Sequence, residues 1–561
     1  MSYSELYTEW FANQQYWFAN QSNYDQYLSN KYKHLFDEPI NIESNKETII
    51  AGIILNDQII RHMVRADSVN LSCSFSQTAV KLSTHVLHVF DTLNIQELSF
   101  ALLPFRHTKN LGDNHYAINE MWNFIKSRDL DLSSLEFAKR FLTASYKNSP
   151  LNDTNSILTN FKSTSNIWRH HSGHYILFEK NNDELDYDLV IDKRIKEYSN
   201  FDCTKIETAI KDTIIDILHK ADQAGQADPT IIISLSMGVD SAISANILSK
   251  LKAKYNFNLI AVHINYCNRE NSMIEEAFVQ NYCSSVEIPC YIRRIPEINR
   301  ADCMKYNLRD IYELYTRNVR FDTYKRVYEL DNKNNNRKPI VILGHNKNDC
   351  FENILTNITY QQKYENLNGM QYKEEQDGIT FYRPLLSVTK EDIRSYAHLN
   401  NISHLKNSTP AWSMRGKIRD NVRPALEQWD SRSIDGLFKL SEITRKLYGL
   451  IDKSIEDIFN RMRKTKLNEY YFECDGCDLE CEIFWSRFFI RFNTLTKLPM
   501  VSHKSIHSLI ERLNHANANA RVNVQISKYI RLVYTENTVS LFCQSNSRFI
   551  ALQSRFIALQ S

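Results

Sequence analysis

The chain has 561 residues, which is too many for one hydrophobic core, so two to four domains are expected. Its formal net charge of +2 excludes a protein that binds polyanions through bulk charge alone, and its hydrophobic content of 43% supports globular folding. The sequence contains neither a signal-peptide pattern nor a run of about 18 apolar residues, so we expect no membrane partner, a cytoplasmic location and 11 cysteines as free thiols.

Residues 1–145 are predicted to form an all-helical domain. Apolar residues recur at helical spacing over Thr48–Val64, Ser76–Leu93 and Tyr116–Phe124, and proline is nearly absent. A polar segment with Pro150 then begins a linker or mixed region, which we place at residues 146–204.

The helical domain also carries polar and aromatic groups in a recognisable order, at Glu9–Phe11, Leu55–Arg61 and Leu103–His107. Their arrangement resembles a family of unknown function with a TPR-like helical fold. The resemblance implies that fold for residues 1–145 and no activity. The polar side chains either line a pocket or tie helices together; they are Asp57, Gln58, Arg61 and His107.

Residues 205–427 alternate between short β-branched runs and amphipathic helices. Three strands are predicted, at Thr230–Leu235, Asn258–His263 and Pro339–Leu343. Such an alternation favours an α/β domain with a parallel sheet covered on both faces. The predicted fold class is therefore multidomain, with an all-α N-terminal domain, this α/β domain and a mixed α/β region at 428–561.

The C-terminal region reads as a helix over Ser433–Arg461 followed by β-rich runs at Ile483–Phe492 and Val522–Leu541. From Ser486 onward it has ten Lys or Arg residues against two acidic ones. This basic end either contacts RNA phosphates or is a solvated face. Three cysteines have the close spacing of a metal knuckle without a near fourth ligand, so a metal there is left open; they are Cys474, Cys477 and Cys481.

The segment Ser234–Ser241, here termed the phosphate loop, reads Ser-Leu-Ser-Met-Gly-Val-Asp-Ser between a predicted strand and a predicted helix. Such a turn presents backbone N–H groups to an anion, with hydroxyl donors from Ser236 and Ser241. Asp240 can hold Mg²⁺ near the phosphates. The alternative is an ordinary serine-capped turn.

The phosphate loop resembles the SGGxDS pattern of PP-loop ATP pyrophosphatases, with Met237 where the family has its first glycine. The resemblance implies ATP binding and substrate activation by adenylation. A methionine suits this position poorly if the backbone needs a positive φ there. The residues predicted to contact the nucleotide are Ser236, Met237, Gly238, Val239, Asp240, Ser241, His263, Asn265 and His345.

Six further segments resemble, in order and spacing, motifs of the tRNA(Ile)-lysidine synthases; they are Val262–Arg269, Arg317–Tyr324, Gly344–Glu352, Asn366–Met370, Arg383–Leu386 and Arg415–Leu426. The resemblance implies a ligase that uses ATP and Mg²⁺ to adenylate a cytidine of a tRNA and then adds free lysine or another amine. It further implies that Asp349 and Glu352 bind the amine and that Arg320 helps pyrophosphate to leave.

The residues themselves leave alternatives open. Asp349 and Glu352 share one helix face, as do Arg317 and Arg320, and either pair can be a solvated surface pair instead of a site. Two competing functions remain, a PP-loop C–N ligase for a small molecule and a catalytically impaired scaffold with Met237 in its loop. A homo-oligomer is also left open.

Overall fold

The computed structural model describes most of the chain. The described residues are 2–17, 22–38, 40–66, 73–153, 156–160, 169–172, 175–178, 192, 202–225, 228–331, 338–406, 413–465, 469–474, 477–515, 521–535 and 537–543. They form two compact units. Unit 1 contains residues 1–347 and 371–408, and unit 2 contains residues 348–370 and 409–561. None of the described helices is long and apolar enough to cross a lipid bilayer.

Eight helices make up the N-terminal part of unit 1, here termed the helical region. They are α1 (Tyr3–Ala12), α2 (Ser22–Tyr32), α3 (Lys46–Ile54), α4 (Ile60–Arg65), α5 (Cys73–Val86), α6 (Ile95–His107), α7 (Leu111–Ser127) and α8 (Leu132–Asn148). Side-chain caps fix several of their starts, and Asn94 with Glu97 forms a capping box at α6. A π-helical turn, Leu55–Ile59, joins α3 to α4 without a break. The predicted helical fold of this region is confirmed.

Two sheets belong to unit 1. The strands are β1 (Ile157–Asn160), β2 (Arg169–Ser172), β3 (Tyr175–Phe178), β4 (Thr230–Ser234), β5 (Asn258–Asn265), β6 (Cys290–Arg294), β7 (Ile340–Ile342), β8 (Lys373–Gln376) and β9 (Ile379–Tyr382). Strands β2 and β3 form a two-stranded antiparallel sheet. The other seven follow the order β1-β6-β5-β4-β7-β9-β8, parallel except at the two edges. The predicted parallel sheet is confirmed.

Helices cover both faces of this sheet because its central strands are apolar on both sides. They are α9 (Thr204–Gln223), α10 (Val239–Lys252), α11 (Ser272–Ser285), α12 (Arg300–Lys305), α13 (Arg309–Asp331) and α15 (Lys390–Leu399), while α14 (Lys347–Thr359) leads into unit 2. On β4, Ile231 and Ile233 pack with one core and Ile232 with another. Strand order reverses at β4, whose neighbours are β5 and β7, and ligands bind at such switch points in open α/β sheets.

The helical region and the sheet share one hydrophobic core inside unit 1, which includes Ile295, Ile298 and Val319. A buried polar network reinforces the junction. Arg293 binds Glu297 at 2.7 Å and donates to Asn152 Oδ1 at 2.6 Å. Because both charged side chains are almost fully buried, their pairing and hydrogen bonds offset the cost of desolvation.

Unit 2 consists of helices and an antiparallel sheet. Its helices after α14 are α16 (Met414–Lys417), α17 (Arg423–Trp429), α18 (Ser433–Arg461), α19 (Glu482–Thr496) and α20 (His503–Asn514). Its strands are β10 (Arg463–Lys464), β11 (Glu469–Glu473), β12 (Val522–Ser527), β13 (Ile530–Thr535) and β14 (Thr538–Cys543), in the order β10-β11-β14-β13-β12. The predicted mixed α/β character of this region is confirmed.

One predicted strand of unit 2 is wrong, because Ile483–Phe492 lies in helix α19. Its aromatic residues favoured a strand by composition. They recur at helical spacing and pack into one core, where Trp485 and Phe488 are fully buried. The helical spacing of the apolar residues, and not the aromatic composition of the segment, therefore determines its secondary structure.

Candidate active site

The phosphate loop connects β4 to α10. Leu235 N donates to Val262 O at 2.9 Å, and the chain then leaves the sheet. Gly238 is the N-cap of α10, and its carbonyl accepts the first helical hydrogen bond, from Ala242 N at 3.0 Å. Ser241 Oγ donates to Gly238 O at 3.1 Å. The first-turn amides of a helix lack intrahelical partners, so this turn can accept an anion.

Met237 has a left-handed backbone, with φ of +55°, and its side chain is fully buried in the core beneath the sheet. Its carbonyl accepts a hydrogen bond from Leu405 N at 2.8 Å. Most residues with a side chain avoid this conformation, which glycine adopts freely. The loop therefore keeps a glycine-type geometry at Met237, stabilised by burial of the methionine side chain.

Gly344, which follows β7, lies against the first turn of α10. A Cβ atom at this position would stand 3.0 Å from Ser241 N and 3.1 Å from Asp240 Cβ. A side chain at Gly344 would therefore force the backbone after β7 and the first turn of α10 apart, and glycine permits their close approach. The approach places the residues after β7 beside the phosphate loop.

Asp240 is held by two residues that the sequence reasoning did not single out. Asn346, which is buried, donates from Nδ2 to Asp240 Oδ1 at 2.9 Å. Lys390, at the start of α15, forms an ion pair with Asp240 Oδ2. The carboxylate is 20% exposed and the lysine side chain 23%, so the pair remains accessible to a ligand.

The three predicted nucleotide contacts beyond the phosphate loop occupy different environments. His263 is buried, and its Nδ1 lies 2.8 Å from Leu235 O, where it supports the start of the phosphate loop from behind. Burial lowers the pKa of His263. Asn265 is also buried and donates to Glu276 Oε2 at 2.8 Å, while it accepts from Cys267 N at 2.9 Å. His345 is half-buried between Gly344 and Asn346.

Arg320 lies on α13, beside the tyrosine that follows β5. It interacts with Tyr266 and Tyr324, whose hydroxyls raise its pKa although burial acts in the opposite direction. Tyr324 Oη is 2.7 Å from Ser234 Oγ, which connects this cluster to the end of β4. No carboxylate of the described residues forms an ion pair with Arg320. Arg317, in contrast, pairs with the exposed Asp377 at 3.0 Å.

In unit 2, Asp349 and Glu352 lie on one face of α14, as predicted for residues three apart, and face two arginines. Arg419 Nη2 is 3.4 Å from Asp349 Oδ1, and its Nε forms an ion pair with Glu352. Arg415 Nε stands 3.8 Å from Glu352 Oε2. Burial raises the pKa of Glu352, although Arg419 opposes the shift. Both carboxylates are therefore already paired with arginine side chains.

The basic end of unit 2 is partly neutralised. Arg487 binds Asp452 through two contacts of 2.7 and 2.8 Å, and Arg491 binds Glu456 at 2.8 and 2.9 Å. The cysteines near this end are free thiols, and Cys474 Sγ donates to Asn537 O. No group of three potential metal ligands occurs within the part of the chain that the structure describes.

The chain has recognisable relatives in two separate segments. A family profile described as a PP-loop domain matches residues 204–426. Another, described as a bacterial protein of unknown function (DUF924), matches residues 6–149. Residues 204–426 are therefore a PP-loop domain, and both resemblances found in the sequence are confirmed.

Curated proteins similar to this chain include several tRNA(Ile)-lysidine synthases. That of Clostridium perfringens is 26% identical over 257 residues, 45% of this chain and 52% of the relative. That of Clostridium tetani is 30% identical over 220 residues, which are 39% of this chain and 44% of the relative. That of Staphylococcus aureus is 23% identical over 252 residues, which are 44% of this chain and 55% of the relative. The chain thus spans about half the length of these relatives.

Among solved structures, the chain is similar to the U34-tRNA thiolase NcsA from Methanococcus maripaludis. The TM-score is 0.32 at 18% identity, over 43% of this chain and 78% of the other. This similarity is too low to support an inference about function.

Proposed function

We propose that this chain, whose residues 204–426 are a PP-loop domain, is an ATP-dependent carbon–nitrogen ligase that modifies tRNA. In this proposal a cytidine is adenylated and lysine is then joined to it. The approach of Gly344 to the first turn of α10 carries the proposal, because a close backbone approach at the switch point of the sheet suits the binding of an anion to the amides of that turn. The tRNA and lysine come from the names of the relatives.

The phosphates of ATP would bind the amides at the start of α10, with Gly238 allowing close approach of the backbone. Attack by the cytidine carbonyl oxygen on the α-phosphate releases pyrophosphate, and the amine then displaces AMP. Charge builds up on the leaving pyrophosphate, and cations in a partly buried site stabilise it. Lys390 is well placed for this role, since it already faces the phosphate loop through Asp240. Arg320, without a described carboxylate partner, is the second candidate.

A Mg²⁺ ion fits this cluster through the carboxylate of Asp240, an oxygen ligand of the kind that the ion prefers. When bound, it would neutralise phosphate charge. Asp240 is engaged by Lys390 and Asn346, so we infer that Lys390 turns from the carboxylate to the phosphates when ATP binds. That exchange replaces one ion pair with another and keeps the lysine charge compensated throughout.

A second candidate, a PP-loop ligase acting on a small molecule, is favoured by the acidic pair in unit 2. Arg419 and Arg415 already neutralise Asp349 and Glu352, and lysine must displace them before its amine can bind there. A substrate with a carboxylate could instead replace Asp349 or Glu352 as the partner of an arginine, which exchanges one carboxylate for another on the same cation. In either case we retain the domain boundaries 1–145, 146–204, 205–427 and 428–561 as proposals.

Mass spectrometry of tRNA nucleosides, from cells with and without the gene, tests the choice between these functions. The tRNA ligase predicts that a lysine-adduct of cytidine is present only when the gene is present. A cell expressing Asp240→Ala serves as the matched negative strain. If the nucleosides are identical in all three samples, the chain does not modify tRNA and the small-molecule ligase is the better account.

A further inference from the structure

The helical region contains a second cluster of charged side chains, far in sequence from the PP-loop domain. Its centre is Asp57, which is 3% exposed. His107 Nδ1 lies 2.7 Å from Asp57 Oδ1, Gln58 Nε2 donates to Oδ2 at 2.5 Å, and Arg61 Nη2 stands 3.4 Å from Oδ1. Arg106 adds a second guanidinium, which lies 5.5 Å from the centroid of Phe141.

The backbone beneath this cluster is irregular. Asp57 and Gln58 sit in the π-helical turn Leu55–Ile59 between α3 and α4, and His107 ends α6. A π turn inserts one residue into a helix and is frequently found at functional sites. The turn leaves Asp57 and Arg61 four residues apart on the same side, facing the end of α6.

The charges of the cluster do not balance. Arg61 and His107 contact the carboxylate of Asp57, and Arg106 is near enough to interact electrostatically with both Asp57 and Arg61, so the sum of these charges is +1 with neutral His107 and +2 with protonated His107. No carboxylate among the described residues forms an ion pair with Arg106, and Arg61 Nε is buried without a hydrogen-bond partner there. Burial lowers the pKa of Arg106; the Asp57 charge opposes this shift and the Arg61 charge adds to it.

Another buried carboxylate of the same region, Asp25, has balanced charges around it. Asp25 accepts hydrogen bonds from Arg65 at 2.9 and 3.0 Å and contacts His62 at 2.5 Å, so one arginine matches one acid. A half-buried cation without a counter-charge is unfavourable unless a ligand compensates it. The cationic surplus around Asp57 is therefore unusual for side chains that only tie helices together.

We propose that Arg61, Arg106 and His107 form a second ligand site, which binds the oxyanion of a small molecule, a phosphate or a carboxylate group. Asp57 acts as the positioning residue of this site. Its carboxylate accepts a hydrogen bond from His107 Nδ1, so the protonated form of His107 can donate from Nε2 to the oxyanion. The forked guanidiniums suit either oxyanion, since each can donate two parallel hydrogen bonds. The site is independent of the proposed ligase activity.

Chemical modification of His107 in the full-length protein tests this site directly. Diethyl pyrocarbonate carbethoxylates accessible imidazoles, and peptide mass spectrometry reports the rate at His107 alone. We expect inorganic phosphate or malonate to slow that rate on the order of tenfold at ten times the dissociation constant, compared with chloride at equal ionic strength. The exposed His503 should react at an unchanged rate. Phosphate bound elsewhere does not affect this local readout.

Three variants separate a ligand site from a structural cluster. Arg106→Gln should lose the protection of His107 while its Tm stays equal to or above that of wild type, because an uncompensated cation is removed. Arg106→Lys, a second variant that keeps the charge, should retain part of the protection. Arg65→Gln should keep the protection although its Tm falls, because Asp25 loses its partner.

Three results would overturn the proposal. One is the absence of protection of His107 by both phosphate and malonate in the wild-type protein. Another is equal protection in wild type and Arg106→Gln. The third is a fall in the Tm of Arg106→Gln as large as that of Arg65→Gln, which would make Arg106 a structural residue. Protection by only one of the two anions identifies the class of ligand and supports the site.

Discussion

Two substitutions at Met237 separate backbone strain from side-chain burial in the phosphate loop. At φ of +55° a residue with a Cβ atom is strained by about 1–2 kcal/mol relative to glycine. The Met237 side chain is also fully buried. Met237→Gly and Met237→Ala both remove that side chain, but only the glycine variant relieves the backbone.

Removing a buried methionine side chain costs about 2–5 kcal/mol, so both variants are expected to be less stable than wild type. Glycine recovers the strain but loses about 0.5–1 kcal/mol through the greater freedom of its unfolded chain. We therefore expect Met237→Gly to be more stable than Met237→Ala by up to about 1.5 kcal/mol. Met121, fully buried within α7, provides the control, since alanine is preferred there by about 1 kcal/mol.

Urea denaturation of the four variants measures these free energies of unfolding. At position 237 the glycine variant should have a higher free energy of unfolding than the alanine variant, and at position 121 it should have a lower one. ATP affinity of folded Met237→Gly should stay within about tenfold of wild type, or ~1.4 kcal/mol. If Met237→Ala is at least as stable as Met237→Gly, the left-handed backbone is not strained. A larger fall in affinity would give the methionine a direct role in binding.

Three further predictions concern the site and the basic end. Gly344→Ala should abolish ATP turnover in an ATPase assay, because the added Cβ would stand 3.0 Å from Ser241 N. The control Gly436→Ala places its Cβ in open space, so it should only stabilise α18, by about 1 kcal/mol, and raise the Tm. Lys390→Gln should lower the kcat of ATP turnover on the order of 100-fold and change ATP affinity less. If kcat and ATP affinity fall by equal factors, Lys390 does not act in the transition state alone. Charge reversal at three exposed lysines, Lys497, Lys504 and Lys528, tests the basic end. In filter-binding assays, the tRNA affinity of the wild type should fall more steeply with rising salt concentration than that of the charge-reversed variant. Parallel salt curves would exclude this surface from RNA binding.

Charge reversal is preferable to deletion for this last test. Unit 2 combines residues 348–370 with residues 409–561, and α18 packs on the turn Tyr364–Asn366. A fragment ending near Glu427 would therefore expose the interior of unit 2. Loss of tRNA affinity in such a fragment would not distinguish a missing RNA contact from unfolding.

Much of the parallel sheet could be predicted because its strands are short β-branched runs separated by helices. Segment Thr230–Leu235 matches β4, and Asn258–His263 lies within β5. The failure at α19 has a physical cause. Aromatic residues such as Trp485, Phe488 and Phe489 have a high β-propensity. Their helical spacing places them on one face of a helix, and this face is stable only because the core of unit 2 buries it.

The partners of Asp240 could not be predicted with equal ease. Asn346 is 106 residues away in sequence and Lys390 is 150 residues away, so neither is near the phosphate loop until the sheet forms. Lys390 begins a helix that follows the last parallel strand, where a lysine is ordinary. Asn346 lies inside the segment Gly344–Glu352, in which His345, Asp349 and Glu352 carry the sequence resemblance.

Exchange of pyrophosphate into ATP by the full-length protein is the most direct test of the central claim. Adenylation of a cytidine predicts that exchange requires tRNA and proceeds without lysine, since the amine acts only after pyrophosphate has left. Asp240→Ala should abolish exchange while the protein stays folded, and Asp216→Ala, which removes a partly exposed carboxylate on α9, should retain it. Exchange that persists in Asp240→Ala would contradict the assignment of the phosphate loop, and exchange that needs no tRNA would contradict tRNA as the substrate.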